Sequence, residues 1–283
     1  MAALSEFKET LSSEVYVDIE KLRDSARHGI PAEVRRDVWK FLLGVEEADR
    51  SKELSHIKAK SEEYQQIDKE NHEITKRVRG EVSRYQRRLN LPMTKEMSTI
   101  FERVICAYIN HNRHIDYSPA LISLCGPFVL TLQKESEIYY CFEKLMHILN
   151  DYSAAHSINE RVANFVTLFR STIPDLYSYF EEEEVDLNEW VTSWLQYLLS
   201  RELQMENLLR LWDTYFSTPD FLDFHPYVCL ALLKHSKEHL EELEQSEIRT
   251  LLLRLPTLEI DQIINQAYNI RHEILERQIS DGL

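Results

Sequence analysis

Turn-forming residues are scarce in this chain. Only five glycines occur among 283 residues, at positions 29, 44, 80, 126 and 282, beside eight prolines. A β-rich fold needs many tight turns, and this supply is too small for one. Cysteine is scarce too. Cys106, Cys125, Cys141 and Cys229 lie scattered in apolar runs with no C-x-x-C spacing, which reads as reduced core thiols rather than a metal cluster or disulfide framework. Basic charge is in deficit: 33 Lys and Arg against 48 Asp and Glu leave a net charge of −15. Phosphate-binding surfaces need a basic patch, so that balance argues against nucleic acid as a partner. No run reaches the roughly 18 apolar residues that span a bilayer. The opening Met-Ala-Ala-Leu-Ser-Glu-Phe has neither the basic nor the apolar region of a secretory leader. No P-loop or Gly-rich phosphate cradle occurs, so neither nucleotide nor any other cofactor or metal is expected on this chain.

What is present favours helix. Hydrophobic residues at 43% and aromatics at 10% are globular values, and Leu, Glu, Lys, Arg and Gln have high helix propensity. The expected fold is all-α, in a soluble, cytoplasmic protein whose acidic surface suits a basic protein partner. Residues 1–14 are weakly patterned and read as a loose segment. Ile19, Leu22 and Ala26 suggest a short amphipathic helix. From residue 48 to 89 the chain is very polar, and Ile57, Tyr64, Ile67, Ile74, Val78 and Val82 keep one narrow stripe on one side of a helix. Pro92 breaks that pattern. Further helices are expected around 100–109, 119–133, 138–149, 158–169, 175–183, 189–199, 205–216, 224–233, 238–253 and 259–278, with caps at Asp186 to Asn188 and a first-turn proline at Pro174. The run Glu181–Glu184 reads as a solvated helix end. His225 and Cys229 stand four apart on a helix, but further ligands for a metal are not evident. No repeat of solenoid period occurs.

Two segments stand out. In the first, Gly29 permits a turn, Pro31 suits a helix start, Arg35 follows, and Trp39, Phe41, Leu42 and Leu43 load an apolar face that Gly44 can end in a left-handed cap. In the second, Trp190 and Trp194 precede Leu208-Leu209-Arg210-Leu211-Trp212-Asp213-Thr214-Tyr215-Phe216. Each alone describes a buried helix, and the Arg210–Asp213 pair reads as fixing helix positions. Taken together and in this order, R-x-G-I-P-x-x-x-R-x-x-x-W-x-x-L-L-G and R-x-W-D resemble the TBC domain, the activating module for Rab-type small GTPases. The resemblance runs from about residue 27 to 235. It implies a multi-helix domain over 15–235, with residues 236–283 as helices packed on or extending it.

TBC domains supply two groups to the GTPase. I-x-x-D-x-x-R carries an arginine finger, and Y-x-Q carries a glutamine that orients the attacking water. Val78-Arg79-Gly80-Glu81-Val82-Ser83-Arg84 is similar to the first, with Glu81 for Asp and Arg84 at the finger position. Glu81 and Arg84 are three apart, so they share a helix face and the carboxylate can orient the guanidinium. Alternatively, Arg79, Arg84, Arg87 and Arg88 form a solvated basic face. Tyr117-Ser118-Pro119 stands where Y-x-Q belongs, 35 positions after Arg84. Ser118 can cap a helix and Pro119 begin it, but proline has no amide to hold a water. Asn110, Asn112 and Gln133 could not replace it without a different backbone path.

The resemblance therefore implies a GTPase-activating protein with an arginine finger and no glutamine finger. Its partner would be a Rab-type GTPase in the GTP form, with the protein peripheral on membranes through its partners. The alternative is a pseudo-activator, a TBC surface that binds a GTPase or a scaffold protein without accelerating hydrolysis.

Overall fold

The computed structural model describes residues 3–282. Among these the chain forms fifteen α-helices and one 3-10 turn, and the only β pairing is an isolated bridge between Tyr16 and Asp49. The chain divides into two compact units: residues 1–148 with 212–219, and residues 149–211 with 220–283.

The first unit begins with α1 (Leu4–Leu11), α2 (Ile19–Ala26) and α3 (Ala32–Leu42), which pack on one another. Where weak patterning suggested a loose start, α1 is a helix with Phe7 buried. Its inner face is Phe7 and Thr10, too short and too polar a stripe to register as periodicity. The polar stretch that read as one stripe is broken at Ile67–Asn71 into α4 (Glu53–Gln66) and α5 (His72–Leu89). In α4 only Tyr64 is buried, whereas α5 buries Ile74, Val78, Val82, Tyr85 and Leu89 at spacings of four, four, three and four. Asn90, at φ +49°, closes α5 in the left-handed conformation that Asn tolerates. Then come α6 (Lys95–His111), capped by the Thr94 hydroxyl, α7 (Ala120–Thr131) and the start of α8 (Glu135–Ala155).

Helices α5, α6 and α7 pack against one another. The contact between α5 and α7 is unusually close. A Cβ built on Gly126 of α7 would lie 1.9 Å from the Tyr85 hydroxyl oxygen, so glycine is required for α5 to seat where it does.

Asp213 ties the two sequence segments together within this unit. Its carboxylate accepts from Ile30 N–H (3.0 Å), Arg35 Nε (3.0 Å), Arg35 Nη2 (2.9 Å) and Trp39 Nε1 (2.8 Å). Beside it, the Thr214 hydroxyl donates to the Arg27 carbonyl. Burial pushes Asp213 above the usual carboxylate range. All four donors are N–H groups that cannot accept a proton, and they hold it charged. Trp39, Phe128, Trp212 and Phe216 pack edge-on and stacked around this junction, and both tryptophans are fully buried. The partner of Asp213 is thus Arg35. Arg210, read from the sequence as its pair, bonds instead to Asp261 in the second unit.

The second unit holds the rest of α8, α9 (Ile158–Thr172), α10 (Pro174–Glu182), α11 (Leu187–Gln196), the first turns of α12 (Met205–Phe216), α13 (Phe221–Leu240), α14 (Gln245–Leu253) and α15 (Ile260–Asp281). Its most extensive packing is α13 on α15. Trp190 joins Phe165, Phe169, Phe180 and Trp194 in an aromatic cluster. Between α11 and α12, Leu198 and Leu199 both take positive φ (53° and 61°), costing roughly 1–2 kcal/mol each, and both are fully buried. The boundary expected at residue 235 falls inside α13.

Candidate functional site

The arginine-finger candidate sits on α5, whose inner stripe is fixed by Val78, Val82 and Tyr85. That register turns Arg84 outward: its side chain is 62% exposed, while Glu81 is only 13% exposed. Arg84 Nε donates to Glu81 Oε2 at 2.8 Å, and Nη2 lies 2.7 Å from the same oxygen. The three-residue spacing therefore produces the expected pair. The guanidinium folds back along the helix. Its Nη atoms stand 3.7 and 4.0 Å from where a Cβ on Gly80 would be.

Tyr117 comes to the same place from the loop before α7. Its ring lies beneath the Arg77 guanidinium, 4.6 Å from the ring centroid. Burial pushes the Tyr117 hydroxyl up, and the Glu81 carboxylate adds to that shift, while Arg77 and Arg84 oppose it. Four side chains therefore converge: Arg77, Glu81, Arg84 and Tyr117. The Tyr117 hydroxyl is buried without a hydrogen-bond partner among the described residues.

Pro119 is exposed at the start of α7 with helical angles (φ −55°, ψ −28°), and the Ser118 hydroxyl accepts from Ala120 N–H. This segment therefore makes a helix start, and proline carries no side-chain amide. The neighbouring amides are committed elsewhere. Asn110 bonds to Asn71 and to the carbonyls of Asp68 and Glu70, and Asn112 bonds to the Tyr108 carbonyl. Gln133 follows the far end of α7, about 20 Å along the axis from Pro119 at 1.5 Å per residue.

The other arginines of the basic face divide by partner. Arg79 is bound bidentately by Glu102 at 2.7 and 3.0 Å, and Arg87 turns toward the Ser83 carbonyl. Arg88 lies over the Tyr85 ring. The participation of Arg77 was missed in the sequence. Its seven-residue offset from Arg84 puts both on one helix face, but the stacking on Tyr117 depends on a loop that periodicity does not place. His225 and Cys229 do face each other, Sγ to Nε2 3.7 Å, but Nε2 also bonds the Trp194 carbonyl at 2.6 Å. Burial pushes this imidazole down to about 4. It is a neutral, bonded core histidine.

With this geometry in view, comparison with known proteins is specific. Residues 32–241 match the profile of the Rab-GTPase-TBC domain. The human TBC1 domain family member 22B is 28% identical over 310 residues, covering 95% of this chain and 61% of the relative. The GTPase-activating protein gyp1 of Schizosaccharomyces pombe is 25% identical, covering 95% of this chain and 60% of the relative. The chain thus spans about three fifths of the length of these relatives. In fold it is similar to the crystal structure of the Ypt/Rab-GAP domain of Gyp1p. That likeness has a TM-score of 0.79 at 23% identity, covering 94% of this chain and 96% of the other. A flagellar RabGAP TBC domain from Chlamydomonas aligns with a TM-score of 0.66 at 20% identity, covering 91% and 84%.

Proposed function

The chain belongs to the Rab-GTPase-TBC domain family, and from that premise we propose that it accelerates GTP hydrolysis on a Rab-type small GTPase by supplying Arg84 in trans. A GTPase alone hydrolyses slowly because charge building on the transferring phosphoryl group is poorly compensated and the attacking water is poorly held. An arginine supplied from outside is worth about 10³–10⁵ in rate. The observation that carries this reading is the pair on α5: an exposed arginine held by a mostly buried carboxylate. Glu81 is mostly buried and the Arg84 side chain mostly exposed, which suits a side chain that must be oriented before it leaves the surface. With Pro119 in the glutamine position, the water falls to the GTPase's own glutamine. The partner is the GTP form, met in the cytoplasm on membranes that carry the GTPase, and the process is vesicle trafficking. Residues 15–235 would form the TBC module and 236–283 its helical extension.

The decisive experiment is single-turnover GTP hydrolysis across a panel of Rab proteins, with and without the chain. Arg84→Ala should lower stimulated hydrolysis about 10³-fold or more while leaving melting temperature and GTPase binding nearly unchanged. Arg84→Lys should also fail, because lysine lacks the planar fork. Stimulation by Arg84→Ala equal to wild type would refute the assignment.

Pro119 supports a second reading, a pseudo-activator that binds a GTPase or a scaffold without accelerating hydrolysis. The two readings separate on a GTPase whose switch glutamine is changed to leucine. Wild type should be inactive there, and Pro119→Gln should restore measurable hydrolysis if docking follows the family's manner. An intact Pro119→Gln variant with no recovery, together with a wild type inactive on the whole Rab panel, would favour the pseudo-activator.

A further inference from the structure

Helix α5 carries six basic residues, Lys76, Arg77, Arg79, Arg84, Arg87 and Arg88, against the acidic Glu73 and Glu81. Two of these guanidiniums are already neutralised, Arg79 by Glu102 and Arg84 by Glu81. Arg77 is different. It is exposed, no carboxylate among the described residues pairs with it, and its guanidinium is laid over the Tyr117 ring at 4.6 Å. Stacking fixes the plane of the group and leaves its N–H edge unspent. Much of the entropy cost of ordering an arginine at an interface is then met before a partner arrives.

Its position relative to Arg84 fixes what it can reach. Seven residues are two helical turns, so the two α-carbons stand about 10 Å apart on one face of α5. Arg84 folds back over Gly80, toward Arg77, with Glu81 between them. A partner that draws Arg84 out therefore meets Arg77 on the same face, one step to the side.

We propose that Arg77 is a second anion-binding residue of this site, presenting its stacked guanidinium to a pair of anionic oxygens on the docked GTPase. The inference rests on the reading that α5 docks on a GTPase. It adds a binding contact distinct from the finger. The oxygens belong either to a carboxylate on the GTPase surface or to a phosphate of its bound nucleotide, and both take the same planar, bidentate geometry.

The test compares wild type, Arg77→Ala and Arg77→Lys with the responsive Rab protein loaded with GDP, with a non-hydrolysable GTP analogue, and with GDP plus aluminium fluoride. Affinities are measured by calorimetry, and KM and kcat by stimulated hydrolysis. Arg77→Ala should weaken binding about tenfold and raise KM to match, with kcat little changed. Arg77→Lys should recover only part of the loss. An equal loss in all nucleotide states assigns the anion to a GTPase carboxylate. A loss seen with the GTP analogue and with aluminium fluoride but not with GDP assigns it to the terminal phosphate position. Unchanged affinity of Arg77→Ala in all three states, with wild-type melting, overturns this inference alone. A wild type that binds no Rab protein overturns the underlying reading and this one with it.

Discussion

Each unit of the chain holds an Arg–Asp pair, and the two pairs look alike until their surroundings are considered. In the first, Arg35 meets Asp213 at 2.9 Å; in the second, Arg210 meets Asp261 at 2.8 Å. Both arginine side chains are 15% exposed. The carboxylates differ: Asp213 is fully buried and Asp261 is 69% exposed. Asp213 also serves Ile30 and Trp39, so removing it strands several buried donors at once. Asp261 is open to solvent, so water can take its place on removal. Equal distance does not mean equal energy, because the cost of breaking a pair is set by what solvent can repair.

The units also differ in how they hold charge. Residues 149–211 and 220–283 carry 23 Asp and Glu against 10 Lys and Arg, so nearly all of the net −15 lies in the second unit. The first is close to neutral and carries the arginine-rich α5. Two buried titratable groups differ in how they are held: Asp213 accepts from four N–H donors, and the His225 imidazole bonds the Trp194 carbonyl.

The sharpest way to break the comparison is Asp213→Ala, which should destabilise by about 3–5 kcal/mol, since it strands the buried Ile30 and Trp39 donors as well as Arg35. Urea unfolding would read it, and a cost below 1 kcal/mol would remove the distinction between the two pairs. His225 should give the next largest effect. Its folded value near 4 lies below the ordinary 6.5, so the unfolded chain takes up the proton first as pH falls. The stability is full above about 6.5 and is lost as pH drops toward 4, amounting to about 3 kcal/mol in total. His225→Gln should flatten that part of the pH–stability curve, and an unchanged slope between pH 6.5 and 4 would show that the imidazole is not its source. The smallest effect should come from Asp261→Ala, about 0–1 kcal/mol as for exposed pairs. Larger losses there would mean that Arg210 depends on Asp261 more than exposure implies.

Much of the fold was legible because helical periodicity is a local property. Scarce turn-formers and the stripes at Val78, Val82 and Trp190, Trp194 identified helices, and all four tryptophans are buried as their spacing implies. The Glu81–Arg84 contact was legible for the same reason, since helix geometry alone sets residues three apart on one face. Helix α1 escaped because an eight-residue segment has too few turns to show a period, and the break at Ile67–Asn71 because the apolar spacing ran straight across it.

By itself, then, the sequence determined the helical class, the pattern of buried faces and the pairing of neighbours on α5, all of which depend on residues within two turns of each other. Only the tertiary structure decided which partner each polar group received. Arg210 and Asp213 are three apart, as Glu81 and Arg84 are, yet they bond to Asp261 and Arg35 instead of to each other. The placing of Tyr117 under Arg77 and the demand for glycine at position 126 were likewise decided in three dimensions. Such contacts join segments far apart in the chain, where no local period constrains them. The chain meets the cost of burying a polar group by bringing a distant partner to it.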